Sequence, residues 1–596
     1  MAERIEDYAL IGDCHTAALV SRGGSIDWLC LPRFDSGACF SALLGTARHG
    51  RWLLAPSNYA KVKRRYQGDT LVLETEFETD SGTAAVIDFM PSRDSVPNLV
   101  RIVEGRSGAV NMHNELIIRF DYGSIMPWVE RCYGGIHATA GPDSLCIQTP
   151  IELHGKDFTT VCDFEIKSGE RIPFALMWHA SHEPLPAPID PEAALLETLN
   201  WWNEWSQLCS YRGAWKGQVL RSLITLKALT YAPTGGIVAA PTTSLPEHIG
   251  GVRNWDYRYC WLRDATLSLY AFLNCGYTGE AKAWREWLLR AVAGDPNKTQ
   301  IMYGLAGERR LTELEIPWLP GYEHSVPVRI GNAASGQFQL DVYGEVLDSM
   351  FQARKVGLHT TDAGWNLERS LVNFVQKAWK DPDEGIWEVR GARQHFTHSK
   401  VMAWVAVDRA VRSMEVRGLA GPLEKWRELR KAIHEDVCRK GFDVSLNSFI
   451  QAYGSKQLDA SLLMIPLVGF LPASDSRVMG TVAAIERSLL RSGFVSRYNT
   501  ASGIDGLPAG EGVFLPCALW LADNYVLLGR KAEAAAMLER VLSVSNDVGL
   551  LAEEYDPNLE RLVGNFPQAF SHVGVINTAL NLSAGVGPAE QRRQSG

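Results

Sequence analysis

The chain of 596 residues has no run of about 18 apolar residues, no cluster of lysine and arginine, and no paired-cysteine spacing. The first absence leaves no segment able to cross a bilayer as a helix. The second, with a net charge of -9, leaves no positive face for nucleic acid or an anionic membrane, so neither is expected as a partner. The 11 cysteines stand singly between Cys14 and Cys517 and are odd in number, so neither a disulfide framework nor a zinc site is suggested and reduced thiols are expected. There is no P-loop, no H-E-x-x-H and no dinucleotide fingerprint, so no cofactor and no metal are expected. The N-terminal residues lack the apolar core of a signal peptide, which makes a cytoplasmic location the expectation. A homo-oligomer is compatible with this composition.

What the chain does have is length enough for two or three domains, and many aromatics: 19 Trp, 18 Tyr and 20 Phe. Residues 1 to about 185 alternate with period two between glycine turns. Ala17–Val20 and Ser25–Leu29 flank Arg22-Gly23-Gly24; Leu71–Phe77 and Ala85–Phe89 flank Asp80-Ser81-Gly82. Further runs at 99–103, 116–120, 145–151, 161–166 and 174–178 predict an antiparallel β-sandwich. The proline-rich stretch Pro184–Pro188 marks a boundary, and 186–211 reads as a linker helix.

From 212 to about 590 the period becomes helical, with twelve candidate helices between 214 and 584. Short connections at Gly276, Gly357, Gly418, Gly469 and Gly529 alternate with long ones at 232–263, 294–334, 380–397, 441–458, 492–513 and 546–566. If the helices alternate up and down, all the long loops share one rim. Six such pairs can close into an (α/α)6 barrel whose mouth those loops line.

Three of those loops carry carboxylates or arginines among aromatics. Arg253–Asp264 contains Trp255, Tyr257 and Trp261 and ends in Arg263-Asp264, a fork of donors beside an acceptor that suits vicinal hydroxyls; capping of the following helix by Asp264 is the structural alternative. Gly385-Ile386-Trp387-Glu388 and Ala552-Glu553-Glu554-Tyr555-Asp556 each place a glutamate beside an aromatic in a turn-rich gap. Two carboxyl groups in one aromatic pocket are what hydrolysis of a sugar acetal needs: one protonates the leaving oxygen, the other activates water or attacks the anomeric carbon. His572 reads as a core histidine soon after the second glutamate, and Glu345 as a polar residue on an inner helix.

Taken in order, Trp255-Asp256-Tyr257 through Trp261-Leu262-Arg263-Asp264, Gly385-Ile386-Trp387-Glu388, Ser496-Arg497-Tyr498 and Ala552–Asp556 resemble glycoside hydrolase family 15, the glucoamylase-type inverting enzymes. Ile5–Asp13 and Gly24–Asp35 look like that family's prokaryotic trehalase-like branch. The resemblance implies Glu388 as general acid and Glu553 as general base. It also implies Arg263 and Asp264 as the grip on the non-reducing-end sugar, Arg497 as a further substrate-binding arginine, and Tyr257 and Trp261 as lining of the innermost subsite, with Trp387 among the substrate-binding residues. Val389 departs from the second carboxylate of eukaryotic glucoamylases, and only His324 aligns with a tryptophan those enzymes place behind the acid.

An exo-acting, inverting α-glucoside hydrolase is therefore implied, with trehalose as leading substrate. Glucoamylase, glucodextranase or isomaltose-type specificity is the alternative, and a non-catalytic carbohydrate-binding protein the alternative of another class. Loops 294–334 and 441–458 are expected to set specificity. Glu388 is expected to be kept protonated by burial against Trp387 and Glu553 to stay ionised in polar surroundings, with the carboxyl groups roughly 6.5–9.5 Å apart.

Overall fold

The computed structural model describes residues 2–593 apart from 94, 95, 133, 356, 359, 360 and 584–586. Two of the helices expected from the sequence, 335–356 and 567–584, end on residues outside the described ones.

The N-terminal region is an antiparallel β-sandwich, and one strand belongs to both of its sheets. Asn98–Ile117 runs for 20 residues; its first half pairs with Gly82–Phe89 and Arg171–Ala180, its second with Arg51–Pro56 and Thr159–Lys167. The runs expected at 99–103 and 116–120 are thus its two ends rather than separate strands. The crossing falls where two glycines allow close backbone approach. A Cβ on Gly105 would stand 2.0 Å from the Lys167 carbonyl, and Gly108 has φ +63. Alternation sets the faces. In Lys61–Tyr66, Lys61, Lys63 and Arg65 are exposed while Arg64 and Tyr66 are buried.

Pro191–Gln207 (α1) connects the two parts, capped by the Asp190 side chain on the N–H groups of Glu192 and Ala193, with proline in its first turn. The helical domain follows as Lys216–Ala228 (α2), Leu262–Asn274 (α3), Thr278–Ala291 (α4), Asp341–Lys355 (α5), Asp362–Ala378 (α6), Thr397–Arg417 (α7), Leu423–Lys440 (α8), Met464–Leu467 (α9), Ser476–Ser488 (α10), Leu515–Leu527 (α11), Lys531–Leu542 (α12) and Ala569–Ser583 (α13). The odd-numbered helices from α3 to α13 touch one another in turn, and α13 returns to α3, closing an inner ring; the even-numbered helices stand outside. Patterning explains the assignment. Outer α6 buries one stripe, Trp365, Leu371, Val372, Val375 and Ala378, whereas inner α7 is buried all round from Thr397 to Met414. Gly344 lets two inner helices meet: a Cβ there would lie 2.4 Å from the Met402 carbonyl.

α9 is the irregular member, a 3-10 turn at Ala460–Leu463 leading into four α residues that include Pro466. α5 starts at Asp341 rather than 335. The N–H groups of Phe338 and Leu340 are taken by the side chains of Glu384 and Asp383, at 2.9 and 3.0 Å, which straps loop 292–340 to loop 379–396. Pro567 likewise precedes its helix, which begins at Ala569.

The sandwich packs against the pocket end of the barrel. Trp28 Nε1 donates to the Pro241 carbonyl at 2.8 Å, Arg33 meets Glu308 at 2.8 Å, and the Trp318 indole donates to the Tyr122 carbonyl at 3.1 Å. Among the described residues no helix is long and apolar enough to cross a membrane.

Candidate active site

Residues 255–258 run extended, so their side chains alternate. Trp255 and Tyr257 line a cleft at the barrel mouth, while Asp256 and Arg258 turn away and are buried as an ion pair of 2.7 Å. Arg258 also donates to the Ser36 carbonyl and lies near the rings of Trp28 and Tyr122, so the β-sandwich holds the back of this segment. Separating a pair this deep would strand a charge, a cost of about 3–5 kcal/mol.

The cleft is narrow, with a free volume of about 60 Å³. Its lining includes all eight residues singled out from the sequence: Tyr257, Trp261, Arg263, Asp264, Trp387, Glu388, Arg497 and Glu553. The two glutamates are held by neighbours of one motif. Trp261 Nε1 donates to Glu388 Oε1 at 2.6 Å and the Tyr257 hydroxyl donates to Glu553 Oε1 at 2.7 Å, while the two rings pack edge to face at 5.1 Å. Glu388 stands at φ +56, three residues after Gly385 at φ +67. Such backbone positions are costly for a non-glycine residue and gather at functional sites. The Gln337 amide fixes the turn by donating to the carbonyls of Glu388 and Val389, both at 3.1 Å.

Arg263 is split between support and pocket. Its Nε donates to Asp264 Oδ1 at 2.8 Å and its Nη1 to the Ile386 carbonyl at 2.7 Å, while Nη2 lies 3.9 Å from Glu388 Oε1. Asp264 does not cap its helix; Trp261 occupies that position. Trp387, the neighbour expected to bury Glu388, is anchored elsewhere at its polar edge. Its indole N–H goes to Asp459, at 2.9 and 3.0 Å, and the indole that meets the acid's oxygen is that of Trp261.

Arg497 is the hub of a buried charge cluster. Its Nη2 lies 2.8 Å from Glu247, 2.7 Å from Glu511 and 3.0 Å from Glu554. Carboxylate oxygens of those three glutamates come within 4.8 Å of one another, near enough to hold a divalent cation. The guanidinium occupies the place a cation would take. Arg253, also lining the cleft, pairs with Asp505 at 2.6 Å.

These surroundings invert part of the electrostatic expectation. Burial raises the Glu388 carboxyl above its ordinary value, opposed by the charge of Arg263 and the hydrogen bond from Trp261. Glu553 is pushed up further, to about 8, by burial and then by the Glu247 carboxylate, against Arg497, the Tyr257 hydroxyl and the Asn565 N–H. The polar partners expected around Glu553 are present, but it is only 1% exposed and shares its region with further carboxylates. Sequence spacing does not show that Glu247 acts on it or that Glu511 joins the Arg497 cluster.

Other expectations fall outside the cleft. His572 is a core residue: its Nε2 accepts the Leu551 N–H at 3.2 Å and its Nδ1 lies 3.0 Å from the Ser222 hydroxyl. His324 is exposed and lines no part of the cleft, because the turn through Glu323 and His324, both at positive φ, carries it outward. Loop 441–458 contributes no lining residue; its Gln451 amide instead steadies Asp459, the acceptor for Trp387. Loop 492–513 takes that place with Arg497, Tyr498, Asp505 and Leu507.

Residues 213–580 match the family description "Glycosyl hydrolases family 15", and residues 1–162 match "Trehalase-like, N-terminal". A trehalase of Mycolicibacterium smegmatis is 38% identical over 97% of this chain and 91% of its own. A trehalase of Thermoplasma volcanium is 35% identical over 97% and 93%. Among solved structures, a bacterial glucoamylase complexed with acarbose superposes with a TM-score of 0.73 at 12% identity, covering 98% of this chain and 94% of that one. With the family match spanning more than half of the sequence and near-complete relatives above 30% identity, the chain belongs to glycosyl hydrolases family 15, as a glycoside hydrolase.

Proposed function

We propose that the protein hydrolyses trehalose to two glucose molecules by inverting general acid–general base catalysis. The observation that carries this reading is the opening of Glu388 and Glu553 into one cleft, each braced by a separate aromatic donor of the 255–264 motif. Similarity to trehalases along nearly the whole chain supports the choice of substrate. Arg263 Nη2 and Asp264 Oδ2 accept or donate no hydrogen bond within the protein among the described residues, which suits them to grip neighbouring hydroxyls of the glucosyl unit. Glu388 protonates the glycosidic oxygen; Glu553 draws a proton from water, which attacks the anomeric carbon from the opposite face.

The test is incubation with trehalose, maltose, isomaltose and soluble starch, following the product anomer by NMR. Trehalose should be cleaved fastest, with β-glucose and α-glucose released in equal amounts, one from the attacked unit and one from the leaving unit. Exclusive α-glucose would mean retention and remove the roles given to the two glutamates. Cleavage of another sugar in preference would remove the substrate.

The pH dependence follows from the charge cluster. Productive chemistry needs one proton on the two carboxyls, placed on Glu388 when the bond breaks with Glu553 ionised, and the last proton leaves the site near pH 8, the value to which Glu553 is raised. The profile of kcat/KM should therefore fall on the alkaline side through about 8, and on the acid side as both carboxyls become protonated. Glu247 raises the upper value, so in Glu247→Gln the alkaline limb should move to lower pH while the acid limb moves less. An unshifted alkaline limb would show that Glu247 does not act on the base.

A further inference from the structure

The rim of the cleft differs in chemistry from its floor. Arg263 and Asp264 are deep, whereas Trp255 is partly exposed and Arg390 is exposed. Both rim residues line the cleft. Two guanidinium groups lie over the Trp255 ring, Arg329 at 4.6 Å and Arg390 at 4.7 Å from its centre. Glu313 ties the cations together, 3.7 Å from Arg329 Nε and 3.2 Å from Arg390 Nη2. Arg329 is anchored further by donating to the carbonyls of Val252 and Asn254, and the Trp255 carbonyl accepts from Asn565, which also donates its N–H toward Glu553. Arg390 is pinned at its backbone N–H by the Asp505 carbonyl at 2.8 Å, which brings up loop 492–513 and Leu507 as the facing wall.

Much of this holds Trp255 rigidly, yet donors remain. No protein acceptor takes the Trp255 indole N–H, or Nε and Nη1 of Arg390, among the described residues. With guanidinium groups over its ring, Trp255 has its edge to offer. A ring edge with an N–H and an arginine fork together suit the hydroxyls of a sugar ring. Position along the chain supplies the direction. Arg390 follows Glu388 by two residues, and Val389 between them is 2% exposed and packs with Phe396 and Ala452. The acid donates its proton to the oxygen of the departing unit, so the groups outward of Glu388 face that unit.

We propose that Trp255 and Arg390, held by Arg329 and Glu313, form the subsite for the leaving glucosyl unit. This rests on the disaccharide hydrolysis proposed above. Arg390 and the Trp255 edge donate to hydroxyls of the leaving sugar, and the rigid clamp fixes its ring against the acid.

The test compares kcat/KM for trehalose, maltose and isomaltose with that for α-D-glucosyl fluoride, whose leaving group is one atom and reaches no second subsite. In Arg390→Ala and Trp255→Phe, the value for the cleaved disaccharide should fall about tenfold to a hundredfold more than that for the fluoride. Retained turnover of the fluoride reports that each variant is folded. Parallel losses on both substrates, or no loss on the disaccharide, would overturn the subsite while leaving the reaction in place. If the wild type cleaves maltose and not trehalose but the ratio still shifts, the subsite stands and only the preferred sugar is wrong. If it cleaves the fluoride and none of the three disaccharides, both fall.

Discussion

Glu553→Gln is expected to lower kcat by about 10²–10⁴-fold on every α-glucoside and on α-D-glucosyl fluoride alike, because each of them needs an activated water. The amide is close in size to the acid and can still accept from Tyr257, so the fold should persist; it also removes one carboxyl group from a crowded buried cluster. Unfolding temperature should hold or rise while activity disappears. A variant with wild-type kcat would take Glu553 out of the reaction. A variant that had lost its cooperative unfolding transition would indicate a structural role instead.

Glu388→Gln should separate substrates by leaving group. Trehalose departs as an alcohol that must be protonated, so kcat should again fall about 10²–10⁴-fold. Fluoride leaves without that proton to the same degree, so the loss on α-D-glucosyl fluoride should be far smaller. Equal losses on both would mean that Glu388 does something other than proton donation. The glutamine retains an acceptor for the Trp261 indole, so the pocket wall is expected to keep its shape.

Why the site could be read from the chain while its electrostatics could not is clear from where the residues lie. Tyr257, Trp261, Arg263 and Asp264 belong to one continuous segment, and Trp387 and Glu388 to another, so spacing alone carries most of the lining. The alternation of short and long links likewise makes the ring of helices legible, since glycine ends helices on one side of the barrel. Glu247 and Glu511 reach Arg497 from sequence separations of 250 and 14 residues, and no local pattern marks that convergence. For the same reason the Glu553 environment was expected to be simply polar, when it is polar and crowded with negative charge. Strand Asn98–Ile117 reads in sequence as two runs because its middle, Gly105–Ser107, breaks the apolar alternation where the chain passes from one sheet to the other. His324 aligns with a pocket tryptophan of eukaryotic glucoamylases, but backbone direction, which residue identity does not disclose, turns it to solvent.

The two-sided run from Trp255 to Arg258 has a practical consequence for anyone reshaping selectivity. Odd positions in it line the cleft, while Arg258 reaches the neighbouring domain and Asp256 is its buried counter-ion, so mutating 255 or 257 changes the lining, whereas mutating 256 or 258 unfastens the wall that presents it. Libraries confined to the odd positions should retain soluble, folded members at much higher frequency than libraries that spread diversity evenly along the run.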